Sequence, residues 1–317
     1  MLNIYESLEQ NKRKSTLVVV LFAAFVAVVV YFLSRALSLY LTGSSSFPLS
    51  FLGIGLIISG ISTWVSYYFS DRIITTISQA VPANRRDYFD FYTGVENLCL
   101  ASGLPMPRLY LIKDTALNAF AAGRDPSHSI LCVTSGLLSQ LNRTELEGVV
   151  GHELSHIGNY DTRLMSLVTV MVGIITLLAD WLFRISWFHS GERDRENNSS
   201  GGLILIVGFI MALISPLIAR LIQMAISRRR EFFADASSVK LTRQPSGLIS
   251  ALKKISIDSE PLEAANKATA HLYFSNPFHF DRNPQNLPGN RRINNLSNLF
   301  NTHPPIAERI KVLQQMS

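Results

Sequence analysis

Residues 151–160 read GHELSHIGNY, and within them His152, Glu153 and His156 follow the order H-E-x-x-H. On an α-helix, positions four apart are little more than one turn apart, so both imidazoles leave one face and can bind a single metal ion. Glu153 lies about 100° further round the helix, where it reaches a water beside the metal rather than the metal itself. A catalytic zinc site takes three protein ligands and keeps one position open. The stretch after His156, IGNYDTRLM, holds no further histidine, so a distant carboxylate must complete the set. Glu231 and Asp235 stand four apart in RRREFFADASS on another expected helix. In this reading Glu231 is the third ligand, and Asp235 accepts a hydrogen bond from the outer nitrogen of a ligating imidazole.

The alternative for H-E-x-x-H alone is a structural helix with surface histidines. With seven histidines in the chain, the pattern arises by chance in about one sequence in a hundred. The local context favours a real helix over Glu145–Asn159. Thr144 and Glu147 match a T-x-x-E capping box, and Leu146, Val149, Val150, Leu154 and Ile157 form an apolar stripe.

What must bring Glu231 to the histidines is the arrangement of four apolar runs, at 16–33, 51–69, 164–178 (continuing to Phe183) and 202–224. Each approaches the length that crosses a bilayer core. His156 shortly precedes the third run and Glu231 shortly follows the fourth. An antiparallel hairpin of the two therefore delivers both to one membrane face. The chain has only 16% charged residues and a positive mean hydropathy of +0.22, which also fits a membrane protein. Its net charge of +6 is placed beside apolar runs, at Lys12, Arg13 and Lys14 and at Arg228, Arg229 and Arg230. This placement orients a membrane protein and excludes a nucleic-acid-binding stripe. By the positive-inside rule, both termini and residues 70–163 face the cytoplasm. The first run is too long for a cleaved signal core and reads as an anchor.

The expected organisation is a mainly α membrane protein with two apolar helical hairpins, about four transmembrane segments, and a zincin-like helical catalytic domain carrying a small β-sheet. Residues 1–75 form the N-terminal transmembrane hairpin and 76–163 the first part of the catalytic domain. Residues 164–227 form the second hairpin and 228–317 the remainder. Strands are expected at 108–112, 118–122 and 130–134. Helices are expected at 88–102, 136–141, 145–159, 231–240, 247–257 and 304–315, with a long loop over 275–301. Cys99 and Cys132 form no C-x-x-C pair and read as free thiols in a reducing compartment.

Four motifs in order, NAFAAG (118–123), HELSH (152–156), EFFAD (231–235) and NTHPPIAERI (301–310), make the chain resemble HtpX-type integral-membrane zinc metalloproteases of the gluzincin group, relatives of the CAAX prenyl endopeptidases. The resemblance implies one Zn2+ per chain on His152, His156 and Glu231, with Glu153 as general base. It makes Asn118, Ala119, Phe120 and Ala121 part of an edge strand that pairs with the substrate backbone, and sets His303 near the substrate carbonyl to stabilise the transition state. It implies polypeptide substrates, unfolded or membrane proteins, and a stress-response role in protein quality control at a bacterial inner membrane, with the lipid bilayer as surroundings and no nucleic acid. The alternatives are a non-catalytic membrane scaffold with structural zinc and a prenyl-protein-type processing protease.

Overall fold

A computed structural model describes residues 49–190, 227–277 apart from 267, and 304–316, with parts of 9–31. The elements in chain order are α1 (Leu49–Ile77), β1 (Val81–Pro82), α2 (Phe89–Ser102), β2 (Arg108–Ile112), β3 (Ala119–Gly123), β4 (Ser129–Thr134), α3 (Ser135–Gln140), α4 (Arg143–Gly158), α5 (Asp161–Ser190), α6 (Arg228–Thr242), α7 (Pro245–Ile257) and α8 (Ile306–Gln314). The sheet order is β1-β2-β4-β3, with β2 and β4 parallel and the outer pairs antiparallel.

Both faces of this sheet are covered, which is why its strands read as apolar runs and not as an alternating pattern. Ile112, Phe120, Ala122, Ile130 and Cys132 pack toward α5 residues such as Leu164, Val168 and Met171, with Ile74 of α1 in the same core. The opposite faces of the same strands send Leu109, Ala119, Ala121, Leu131 and Val133 toward Val95 of α2, Val150 and Leu154 of α4, and Leu248 and Ala251 of α7. The metal-motif helix α4 therefore rests on the sheet with its apolar stripe inward.

The start of α4 differs from the sequence expectation. Asn142, not Thr144, is the N-cap: its side chain accepts from Glu145 N (3.0 Å), and Glu145 Oε2 accepts from Asn142 N (2.8 Å). Glu147 pairs instead with Arg143 one turn earlier. Both N-x-x-E and T-x-x-E precede the apolar stripe, and Asn is the stronger cap. Glu145 also accepts from Lys254 Nζ (2.7 Å) and Ser250 Oγ (2.6 Å), fastening α4 to α7. Burial alone would raise the Glu145 pKa, but these bonds outweigh it and hold the carboxyl below its usual range.

Helix α4 also lies unusually close to α6 and α7. A Cβ on Gly151 would stand 2.8 Å from Ser238 Oγ, and one on Gly148 would stand 2.9 Å from the Leu248 backbone nitrogen. Ser238 Oγ donates to Gly148 O across this seam (2.6 Å). The two glycines let the backbones approach, and that approach carries the first turns of α6 over the histidine face of α4.

Of the four apolar runs, 51–69 lies in α1 and 164–178 in α5. The 202–224 run lies outside the described residues, as does much of 16–33. Among the described residues no helix is long and apolar enough to cross a membrane. Both cysteines are free and buried.

Candidate metal centre

His152 and His156 on α4 and Glu231 on the first turn of α6 converge in a buried position. The two Nε2 atoms are 3.1 Å apart. Glu231 Oε2 stands 3.6 Å from His152 Nε2, and Oε1 stands 3.5 Å from His156 Nε2. Around a tetrahedral ion with bonds of about 2.0–2.1 Å, ligand atoms are separated by roughly 3.3–3.4 Å. The triangle thus has the size that such an ion requires, with two imidazoles and one carboxylate as donors.

Each imidazole is held from behind by a carboxylate that is itself held by a guanidinium. His152 Nδ1 donates to Asp235 Oδ1 (2.9 Å), and Asp235 accepts from Arg309 Nε (2.9 Å) and Nη2 (2.6 Å). Arg309, from α8, is 1% exposed and lies over the Phe274 ring at 4.5 Å. Phe274 in turn meets His152 edge-on at 4.9 Å. His156 Nδ1 donates to Asp161 Oδ2 (3.0 Å), and Asp161 Oδ1 accepts from Arg230 Nη1 (2.9 Å). A proton committed to Nδ1 leaves the Nε2 lone pair facing the ligand triangle in both rings.

The turn between α4 and α5 makes the second contact possible. Tyr160 adopts a left-handed conformation (φ 58°), which separates α4 from α5 within two residues. Asp161 then begins α5 close enough to reach back to His156.

The electrostatics call for positive charge in the triangle. Burial would lower the His156 pKa, but the bond to Asp161 and the charges of Glu231, Asp161 and Glu153 raise it to about 9. A divalent cation meets the same demand. Burial would likewise raise Asp235, yet Arg309 and the bond from His152 hold that carboxyl down at about 2. Asp235 in return outweighs the desolvation of Arg309 and raises its pKa.

Glu153 is 3% exposed. Its charge acts on His156 and Arg309, and it adds to the burial that pushes the Cys132 thiol of β4 far up. Asn118 precedes β3, an edge strand of the sheet, and Ala119, Phe120 and Ala121 open it. The Asn118 side chain is taken up internally: Nδ2 donates to Ser275 O (3.0 Å), and Oδ1 accepts from Ser275 N (3.2 Å) and Ala119 N (3.1 Å). Thr134 N bonds Asn118 O (3.0 Å), so backbone groups of residues 119, 121 and 123 point away from β4. Ala119 O accepts from Phe274 N, and Gly123 N donates to Ser166 Oγ. Among the described residues, the outward N–H and C=O of Ala121 have no partner. His303 lies outside the described residues.

Sequence reasoning missed Asp161, Arg230, Arg309 and Phe274. A usable signal existed for the first: a ligating histidine nearly always has a carboxylate behind its outer nitrogen, and only one of the two histidines had been given one. Arg309 lies inside the NTHPPIAERI motif but carries no local mark of its partner.

Against known proteins, the model of peptidase family M48 matches residues 92–317. The chain is 40% identical to a protein named Protease HtpX homolog from Thermoanaerobacter pseudethanolicus over 316 residues, covering 99% of this chain and 98% of that one. A protein of the same name from Lactobacillus helveticus is 41% identical over 320 residues, covering 99% and 100%. Among solved structures, S. mikatae Ste24p aligns with 17% identity and a TM-score of 0.45 over 96% of this chain and 66% of that one.

Proposed function

The chain belongs to peptidase family M48 and is a metallopeptidase; from that premise we propose that it is a membrane-bound zinc endopeptidase cutting unfolded or damaged polypeptides, membrane proteins among them. His152, His156 and Glu231 hold the ion. The observation that carries this reading is their triangle of 3.1, 3.5 and 3.6 Å, with Glu153 beside it on the same helix. A structural zinc is normally closed by four protein ligands. The described residues bring together three. When bound there, zinc supplies a Lewis acid and lowers the pKa of water toward neutrality.

Glu153 acts as general base, taking the proton of the attacking water and returning one to the leaving amine. Asp235 and Asp161 fix the imidazoles through Nδ1. Ala121, whose outward N–H and C=O have no partner among the described residues, pairs with an extended substrate, with Asn118, Ala119 and Phe120 shaping the start of that strand. Backbone pairing reads extension more than side-chain identity, so cleavage is broad. His303 stabilises the developing oxyanion. The apolar runs and their basic flanks support an integral protein of a bacterial inner membrane, with the catalytic domain and both termini cytoplasmic and a role in protein quality control.

The test compares the full-length chain with Glu153→Gln, both purified in detergent with zinc, on an unfolded model protein. The variant keeps the ligands and should lose activity by about 100-fold or more. Equal cleavage by both would sink the assignment of the base. No cleavage by either, with one zinc bound per chain, would favour a structural scaffold.

A further inference from the structure

Two recesses meet beside α1, and their chemistries are opposite. One, of about 540 Å3, is walled mainly by apolar groups, including Val19, Gly60, Leu167 and the Trp64 and Tyr67 rings. The other, of about 300 Å3, is lined by Arg72, Arg108 and Arg124. Trp64 and Tyr68 belong to both linings, so the two form one amphipathic groove. It sits where the apolar run of α1 gives way to charge, and its exposed rings, Trp64 at 55% and Tyr68 at 43%, are the residue types of a membrane–water interface.

The charge balance of the smaller recess is positive. Arg108 is paired with Asp71, and Asp125 holds Arg124 (3.4 Å) and His128 (2.8 Å). Arg72 stacks on Phe69 and has no carboxylate partner among the described residues. In the apolar recess, Thr63 Oγ1 and Arg163 Nε are buried without a hydrogen-bond partner among the described residues. Both can donate, and a hydrocarbon occupant would leave both unsatisfied. The groove therefore offers an apolar wall, two donors and a cationic pocket.

We propose that this groove binds one anionic phospholipid. The phosphodiester lies at Arg72 and Arg124, the ester carbonyls accept from Thr63 and Arg163, and an acyl chain runs along Trp64 and Leu167. The assignment rests on the membrane reading above but goes beyond it, since a membrane protein needs no such site. Arg163 and Asp161 share the first turn of α5, so one face of that turn touches the lipid groove and another the metal centre.

The experiment is native mass spectrometry of the full-length chain in neutral detergent, titrated with phosphatidylglycerol or phosphatidylcholine. One phosphatidylglycerol should be retained per chain in preference to phosphatidylcholine. Arg72→Gln should weaken that retention about fivefold, as expected for one basic group at an anionic surface. Its melting temperature and its cleavage of a soluble unfolded substrate should not change. Arg124→Gln should act in the same direction. Equal retention of the two lipids, or a preference that survives both substitutions, overturns the proposal. Displacement of phosphatidylglycerol by equimolar glycerol phosphate would make the pocket a site for a soluble phosphate ester and overturn it equally. Recovery of the chain in the soluble fraction without detergent would overturn the membrane reading itself. A membrane-bound chain lacking lipid preference would overturn only the groove.

Discussion

His152 and His156 carry the same three-part support, imidazole to carboxylate to guanidinium, yet the two supports are built differently. Behind His152, Asp235 is clamped by two nitrogens of Arg309, both residues 1% exposed at the side chain, with the Phe274 ring closing the guanidinium face. Behind His156, Asp161 meets Arg230 through Nη1, and the Arg230 side chain is 15% exposed. The first support joins α4, α6 and α8; the second joins α4, α5 and α6 through sequence neighbours of the triangle, since Asp161 follows α4 by three residues and Arg230 immediately precedes Glu231. The chemistry that orients a ligand is thus separable from the packing that encloses it. Both sides tie helices together as well as holding a ring, and the His152 side does so at greater depth.

The largest expected effect follows from removing the buried guanidinium. Arg309→Leu leaves the Asp235 carboxylate in the core with His152 as its one remaining partner among the described residues. Breaking a buried ion pair from one side costs about 3–5 kcal/mol. Arg230→Leu removes a partner whose side chain is 15% exposed, so water can take its place beside Asp161, and the cost should be roughly 1–3 kcal/mol, the range for an unsatisfied polar group. Urea unfolding in detergent, with metal removed by a chelator, measures both. Similar costs for the two substitutions would erase the contrast between the supports.

A smaller effect separates orientation from enclosure. Asp235→Asn and Asp161→Asn each remove the negative charge behind one of the two imidazoles, and on the proposed assignment each should weaken zinc binding by about 10–100-fold. Competition against a chromophoric chelator reads this directly. The comparison is sharpened by the melting temperature. Asp235→Asn should lower it clearly, because Arg309 is then buried opposite a neutral amide, while Asp161→Asn should lower it much less. A loss of zinc affinity confined to Asp235→Asn would mean that the His156 support orients nothing.

The same contrast explains what could be read from the chain. Helices and strands within one stretch were legible nearly to the residue: the Gly247–Ile257 expectation became Pro245–Ile257, and 108–112 is β2 unchanged. The cap of α4 lies two positions before the expected one because Asn142 and Thr144 are each followed by a Glu at the third position, and periodicity does not choose between them. Strand β1 has two residues and no period to detect. At the site, His152 and His156 announce themselves by spacing, and Glu231 by its place after an apolar run. Asp235 and Arg309 are 74 positions apart, and their contact is decided by how α8 lands on α6. A sequence pattern holds no trace of that landing. Asp161 is only five positions from His156, but its reach depends on the left-handed Tyr160, a conformation that a tyrosine does not advertise.

The smallest effect is expected from a charge-conserving change. Lysine keeps the positive charge but replaces a planar fork by a single ammonium group. At Arg230, where Nη1 makes the bond to Asp161, Arg230→Lys can restore both charge and hydrogen bond. Zinc affinity should then stay within about threefold of the parent and stability within about 1 kcal/mol. At Arg309 the two parallel bonds to Asp235 need the fork, and the flat guanidinium on Phe274 has no ammonium equivalent. Arg309→Lys should therefore keep much of the cost of Arg309→Leu. If lysine were tolerated equally at both positions, charge alone would support each histidine, and the fork geometry and aromatic stacking on the His152 side would be incidental. If it were tolerated at neither, the Arg230 support would be as shape-dependent as that of Arg309, and the two would differ only in depth.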